Sequence, residues 1–576
     1  MNPPPASRTL TDRLQALPAV ELARLQERIR GDGCSGSTLV AAALWRCGIR
    51  RVLAVAGTPV DAVLSACVAR GIRVIGCRHQ QAAVLSASAA NYLAGRLESA
   101  VVVSAGPAVT NTLTGLLVAR DNGWPVLVLG GRRAVSEEGR GAFQELDALP
   151  LVSPLTRWAS TPRRTCEIPD QILRAAAAAM SGRPGAAYLD LPEDVLAGIA
   201  SPGDPAIPLP TPPPLPDPGL IEEAARWIRG SERPLLILGD GLRWSLDTRV
   251  LHTLVEQHGI PFITTSLARG YLPDSHALCA GEVRRSVQGE ADVVVMAGAG
   301  FDWRFRFGAE LAPGACVIHA DADAAALGRN VRTAVSHAGD PGLFLKLLAE
   351  ALAAPSLGEA IPPWSEWHER IRRACMENRP APESGSQTGT HLLSPRQVVR
   401  AIRDVLPPEA IVTAEGNVGL AAIQRGLSLD QPLTWLDPGA NGIIGASIPF
   451  ALGARLACPD RPVVAVCGDT GFGISGMELE TTVRHGLPVV VVIFNNDGNS
   501  GALRQEAWFP PDHPEQITSY LPGLHYERLV EIFGGHAESV SEDAGLRGAL
   551  RRALNSGRTA CVSVRVDPHA AHAGIW

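Results

Sequence analysis

One βαβ stretch in the last third of the chain sets oxygen acceptors where a cation and a phosphate can meet. It runs from Val463 to Gly498: VVAVCGDTGFGISGMELETTVRHGLPVVVVIFNNDG. Asp469 follows one short apolar run and Asn496 follows the next, so a carboxylate and an amide oxygen face each other across neighbouring strand ends. With a backbone carbonyl they form an all-oxygen set that suits Mg2+ or Ca2+, ions that usually keep phosphate oxygens as further ligands. Gly468, Thr470 and Gly471 leave backbone N–H groups clear to meet a diphosphate at a helix start. Asp469 or Asn496 alone reads as an ordinary turn residue. The pairing of Gly-Asp with Asn-Asn across a single crossover is what points to a metal-bound phosphoanhydride.

The elements that must position these residues follow from local pattern. Val463–Cys467 and Val489–Phe494 read as buried parallel strands. The segment 468–471 reads as a turn, and Ile474–His485 has helical spacing, closed by Gly486 and Pro488. In open α/β sheets, ligands bind at the carboxyl ends of the strands.

The rest of the chain repeats this alternation. Strands are expected at Val52–Ala56, Val74–Cys77, Ala100–Ser104 and Pro125–Leu129, then at Leu235–Leu238, Val293–Ala297 and Val317–Ala320. The pattern implies an α/β protein of three doubly wound parallel-sheet domains. Their expected bounds are 34–202, 218–354 and 393–576, with a Pro-rich linker over 203–217 and a Pro/Ser/Gly-rich linker over 355–392. Residues 1–33 form an extension. Pro18 opens a helix there, with Leu22, Leu25 and Ile29 on one face and Gly31 ending it. That helix either packs on its own domain or docks a partner.

Composition narrows the class. The 576 residues carry a net charge of −6, no basic run stands out, and Lys346 is the single lysine. A nucleic-acid partner is therefore not expected. The eleven cysteines are scattered without a CxxC, which suits a reduced cytoplasm without disulfides or a zinc site. No signal-peptide core and no run of membrane-spanning length is seen.

The motif GDT…NNDG resembles that of thiamine diphosphate enzymes. The whole stretch is similar to the oxalyl-CoA decarboxylase and 2-hydroxyacyl-CoA lyase branch, which shares an ancestor with acetolactate synthase. The segments CRHQQAAVLSASAANYLAGR, VVSAGPAVTNTLTGLLVARDNGWPVLVLGG and GAFQELDALPLVSPLTRWAS resemble the pyrimidine-binding domain. AGAGFDWRFRFG with IHADADAAALGRN resembles the central, Rossmann-like domain. AEGNVG and GANGIIGASIPFALGARL resemble the start of the diphosphate-binding domain. The resemblance implies thiamine diphosphate and Mg2+ as cofactors, with Asp469, Asn496 and Gly498 as metal ligands. It implies cofactor contacts from Gln80, Asn111, Gln144, Asn417, Gly442, Ile444, Gly468, Thr470 and Gly471. Ile444 would be the large residue that bends the cofactor into a V. It also implies a homodimer or homotetramer, with each site shared between subunits. A Rossmann-like central domain could hold FAD or ADP, but no GxGxxG in it indicates either.

One departure bears on mechanism. The family places a glutamate at the aminopyrimidine N1′, in a motif close to RHEQA. Here Arg78-His79-Gln80-Gln81-Ala82 puts the amide of Gln80 there. A carboxyl exchanges a proton with N1′, whereas an amide only hydrogen-bonds. Losing a positioned acid–base group typically costs about 10²–10⁴-fold. Oxalyl-CoA decarboxylases have tyrosines where this chain has Phe143 and Ser500, which speaks against oxalyl-CoA itself. The readings that stand are a lyase or decarboxylase of a 2-oxo acid or 2-hydroxyacyl thioester, an acetolactate-synthase-like carboligase, and a weak or silent cofactor-binding paralogue.

Overall fold

In the computed structural model, residues 33–203, 205–206, 208, 212–245, 247–354, 363–378, 392–416, 418–509 and 516–569 are described. The helix expected within residues 1–33 lies outside them. Among the described residues, three separate parallel sheets carry the fold. The first holds β1 (Arg51–Val55), β2 (Arg73–Gly76), β3 (Ser99–Val103), β4 (Val126–Arg132), β5 (Trp158–Ser160) and β6 (Ala186–Pro192), in the order β2-β1-β3-β4-β6-β5. The second holds β7 (Pro234–Leu238), β8 (Phe262–Thr264), β9 (Val293–Ala297), β10 (Cys316–Asp321) and β11 (Val335–Ala338), ordered β8-β7-β9-β10-β11. The third holds β12 (Ile411–Ala414), β13 (Trp435–Leu436), β14 (Val463–Gly468), β15 (Val490–Asn495), β16 (His536–Val540) and β17 (Ala560–Arg565), ordered β13-β12-β14-β15-β17-β16. A two-residue antiparallel pair, Cys34–Ser35 with Ile199–Ala200, ties the two ends of the first unit together.

The first and third sheets have the same topology. Counting strands within each, both run 2-1-3-4-6-5, and in both the order reverses between strands 1 and 3. That reversal opens the crevice in which α/β sheets bind ligands. The two units pack through equivalent helices, each following its sheet's second strand: α1 (Gln80–Ala94) and, further on, α4 (Ser447–Ala457). Small residues let these helices approach closely. A Cβ on Gly453 would lie 2.3 Å from the carbonyl oxygen of Ser86 and 3.0 Å from Ala89 Cβ. Leu85, Ala89, Tyr92 and Leu93 of α1 join the core of the third unit, and Leu452 and Leu456 of α4 join that of the first. Each buried leucine contributes about 1.5–3 kcal/mol, so the two units share one packed interface.

Two local expectations are corrected. The 468–471 segment is not a turn before a helix. The helix α5 (Asp469–Ser475) starts at Asp469 itself, and a second helix, α6 (Glu478–Arg484), follows a break at Gly476-Met477. Gly476 is pressed on Phe472, where a Cβ would lie 2.9 Å from the ring. The 355–392 stretch, expected as linker, contains the helix α3 (Ser365–Glu377). Its Trp367 and Ile371, with Trp364, are buried in the second unit's core, and both indole N–H groups donate to that unit's backbone. An apolar stripe inside a breaker-rich stretch outweighs the composition around it.

Candidate active site

The third sheet's edge positions the metal-type residues. In the parallel register Gly468 lies level with Phe494, so the next residues of β14 and β15 emerge at the same edge. Asp469 is buried. Its Oδ1 accepts from Thr470 N at 2.7 Å, and its Oδ2 accepts from Gly498 N at 2.9 Å. Burial pushes its carboxyl up to about 6 even against these donors. The two asparagines divide their roles. Asn495 is fully buried and donates to Leu524 O at 3.0 Å, so it holds the fold. Asn496, the next residue, is the candidate ligand. Asp497 stands at φ +57, a region that Asp tolerates better than most residues. A fork from Arg565 at 2.5 and 2.6 Å locks its carboxylate, while Gly523 N adds a third donor. The segment 497–498 is thus pinned to β17 and to the 518–523 strand-like return, and Tyr520 Oη donates to Thr470 Oγ1 at 3.1 Å.

Behind this edge sits a carboxylate that the motif reading did not single out. Glu415 directly follows β12, has no exposed surface, and accepts N–H groups from Ala446 and Ser447 and the hydroxyl of Ser447. A Cβ on Gly471 would come within 2.3 Å of its Oε1. Glu415 therefore joins the start of α5 to the loop 437–446, which carries Gly442 and Ile444. Gly442 is exposed at φ +59. Ile443 packs on the core, whereas Ile444 is half-buried and outside it. Asn417 lies outside the described residues.

Burial pushes Glu415 up to about 7 from 4.5. The folded state thus holds this proton more tightly than the unfolded chain, so the contribution is full below about 4.5 and is lost as pH rises through about 7. The apoprotein should lose up to about 3 kcal/mol between pH 5 and 8 from this group alone. Glu415→Gln should flatten the fall in thermal midpoint over that range, as read by scanning calorimetry. An unchanged pH slope in the variant would count against the assignment.

The first sheet's edge gathers the other candidates. Gln80 is the first residue of α1, behind His79, whose Nδ1 caps the helix by accepting from Gln81 N at 3.1 Å. Asn111 Nδ2 donates to Gln80 Oε1 at 3.0 Å. Gln144, at φ +58, lies against Gly106, where a Cβ would sit 2.9 Å from Gln144 Cβ. Glu145 closes this loop by accepting from the N–H groups of Gly141 and Ala142. Phe143 is 73% exposed at the loop's tip. Gln80, Asn111 and Gln144 therefore follow strands 2, 3 and 4 of the first sheet. Gly442 with Ile444, Asp469 and Asn496 follow strands 2, 3 and 4 of the third.

Comparison with known proteins matches each of the three units. The thiamine pyrophosphate enzyme N-terminal TPP binding domain matches residues 34–151, the central domain 221–348 and the C-terminal TPP binding domain 415–564. The 2-hydroxyacyl-CoA lyase of Oryza sativa is 34% identical over 93% of this chain and 96% of its own length. Acetolactate synthase large subunit IlvG of Mycobacterium tuberculosis is 32% identical over 93% of this chain and 96% of its own. Oxalyl-CoA decarboxylase of Escherichia coli K12 is 31% identical over 93% and 95%. With all three of its units matched and its relatives aligned nearly end to end, the chain belongs to the thiamine pyrophosphate enzyme family.

Proposed function

We propose that this protein is a thiamine diphosphate- and Mg2+-dependent lyase acting on the C–C bond of a 2-hydroxyacyl thioester. The fit of cation and cofactor rests on the donor set. Among the described residues, no three His, Cys, Asp or Glu side chains gather to hold a metal. One buried carboxylate, an amide and a carbonyl suit a cation that brings its own phosphate oxygens. When bound, thiamine diphosphate supplies the carbon nucleophile and the electron sink. The chain does the rest. Asp469, Asn496 and Gly498 hold the metal, while Gly468, Thr470 and Gly471 present N–H groups to the diphosphate. Gly442 and Ile444 seat the aminopyrimidine. Gln80, its oxygen engaged by Asn111, offers its N–H2 group to N1′ and orients it without taking a proton.

One observation carries the choice of a thioester. Arg284, Arg285, Arg304 and Arg306 gather on the second unit, with Arg425 of the third close enough to act on Arg284. Burial depresses the Arg284 pKa, Glu310 opposes the fall, and Arg285, Arg425 and Arg304 add to it. Two carboxylates stand among the arginines: Asp302 pairs with Arg304, and Glu310 lies 3.0 Å from Arg285 and 3.6 Å from Arg306. Trp303, beside them, donates its indole N–H to Ala440 O at 2.9 Å, so this basic group adjoins the loop bearing Gly442 and Ile444. Five arginines against two carboxylates leave a net positive group beside that loop, which suits the phosphates of an acyl-CoA and has no counterpart in a free 2-oxo acid. A nucleotide such as FAD or ADP in the second unit is not needed by this reading. The glycine turns at that sheet's switch point close on each other, with Gly241 N donating to Gly298 O at 2.8 Å. A panel of 2-hydroxyacyl-CoAs and free 2-oxo acids tests the proposal. Turnover confined to 2-oxo acids would favour the acetolactate-synthase-like carboligase, and no turnover with bound cofactor the silent paralogue.

We also propose that two copies complete each site, Gln80 of one facing Asp469 of the other in a homodimer or a homotetramer built from it. Ile474 and Met477, 52% and 45% exposed on α5 and its break, and Phe143 at the opposite edge supply apolar rim surface for such a contact. Light scattering at micromolar concentration should give a dimer or larger. A monomer that still binds cofactor would refute the shared site.

A further inference from the structure

We propose that Glu478 is a positioning residue for Gln80: from the third unit, it holds the backbone of the turn that presents Gln80. Glu478 opens α6 and is buried to 1% exposure. Its Oε1 accepts from Arg78 N at 3.0 Å and His79 N at 2.9 Å, and its Oε2 accepts from Thr481 Oγ1 at 2.7 Å. These two N–H groups immediately precede Gln80. The grip extends along the same turn. Arg484 Nη2 donates to Gly76 O at 2.7 Å, and His485 Nε2 accepts from Gly76 N at 3.2 Å. Arg73 Nη2 donates to His485 O at 2.9 Å. Every one of these partners lies in the α6 region, roughly four hundred residues along the chain.

The matching topology gives the contact a counterpart. The helix α2 (Leu113–Asn122) follows the third strand of the first sheet, as α5 and α6 follow the third strand of the third. Asp121 Oδ2, at its end, accepts from Asn441 Nδ2 at 2.5 Å, and Gly439, at φ +60, is pressed on Asn122 Oδ1. So in each unit the helix after strand 3 grips the loop after strand 2 of the other unit. One grip sets Gln80 and the other sets Gly442 and Ile444. Both carry groups that the proposed function places at the aminopyrimidine. Because Glu478 acts as an acceptor for backbone N–H groups, its role needs an oxygen at that point, not a charge. Burial in fact disfavours the charged form.

The test is amide hydrogen exchange by mass spectrometry on the full-length apoprotein, for Glu478→Ala, Glu478→Asp and Glu478→Gln. Alanine removes the acceptor and aspartate draws it back by one methylene, so both should speed exchange in a peptide spanning 76–81 at least tenfold. Glutamine keeps an acceptor oxygen and should exchange like the natural protein. Aspartate keeps the experiment decisive if alanine does not fold. The second arm is a cycle with Gln80→Ala, read as C2–H/D exchange of bound thiamine diphosphate by proton NMR. Glu478→Ala should slow it about tenfold in the natural background and less than twofold when Gln80 is already alanine. Unchanged exchange at 76–81, a glutamine variant as impaired as alanine, or additive effects in the cycle would each overturn the proposal. The cycle rests on the reading of Gln80 as the aminopyrimidine contact. If the natural protein binds no cofactor, that reading fails by itself, and amide exchange still decides the positioning claim.

Discussion

Asp469→Ala should weaken the binding of thiamine diphosphate with Mg2+ by at least a thousandfold, about 4 kcal/mol. Asp469 is the one charged member of the oxygen set, since Asn496 and Gly498 offer neutral oxygens. The fold should survive. The variant frees the N–H groups of Thr470 and Gly498, now held at 2.7 and 2.9 Å, but it also removes a carboxylate whose ionised form burial disfavours. Asp469→Asn separates the two effects: it keeps an acceptor for Gly498 and should still lose most of the affinity. The same burial predicts a pH dependence. With the apoprotein carboxyl near 6, the proton and the cation compete for it. Affinity should be level above about pH 7 and fall roughly tenfold per unit below about 6. Isothermal calorimetry with the cofactor and Mg2+ reads both results. Unchanged affinity in the alanine variant would refute the site.

How much of this was legible in the sequence depends on how local each feature is. The Val-rich runs around Asp469 and Asn496 were readable because a fully buried parallel strand needs an apolar run: β14 and β15 fall within a residue of expectation. Strands β12, β13, β16 and β17 did not stand out. The first two have four and two residues, too short for periodicity to register. The edge strand β16 reads His-Ala-Glu-Ser-Val, with its polar side chains partly exposed. The break between α5 and α6 was hidden because Ile474–His485 keeps helical spacing across Gly476. Glu415 and Glu478 were missed for another reason. Each sits in a quoted motif, but its role comes from partners far along the chain: Ala446 and Ser447 for the first, Arg78 and His79 for the second. The shared 2-1-3-4-6-5 order of the first and third sheets was equally out of reach, because strand order is set by which faces pack, not by local pattern.

Gln80→Glu should speed C2–H/D exchange of bound thiamine diphosphate by at least tenfold, about 1.4 kcal/mol off that barrier. The structure sharpens the reason. Gln80 Oε1 is engaged by Asn111 Nδ2 at 3.0 Å, which leaves the N–H2 group as the one that can face N1′. That group donates a hydrogen bond and can do no more. A glutamate in the same rotamer would keep one oxygen on Asn111 and turn the other towards N1′, where it can carry a proton. Two influences then act on its pKa. Asn111 favours the charged form, while closure of the site by a second copy would remove water and favour the neutral one. The second should dominate once the site is closed, giving a carboxyl that holds its proton near neutral pH and can pass it. Overall turnover need not rise in step, because later stages of a reaction adapted to a neutral amide gain a charge they did not have. Asn111→Ala in the Gln80→Glu background provides the internal check. Without the amide to hold one oxygen, the carboxylate loses its aim, and part of the gain should disappear. Exchange is followed by proton NMR, beside product assays with the thioester panel. A glutamate variant that exchanges no faster than the natural protein would place Gln80 away from N1′ and undo its assignment.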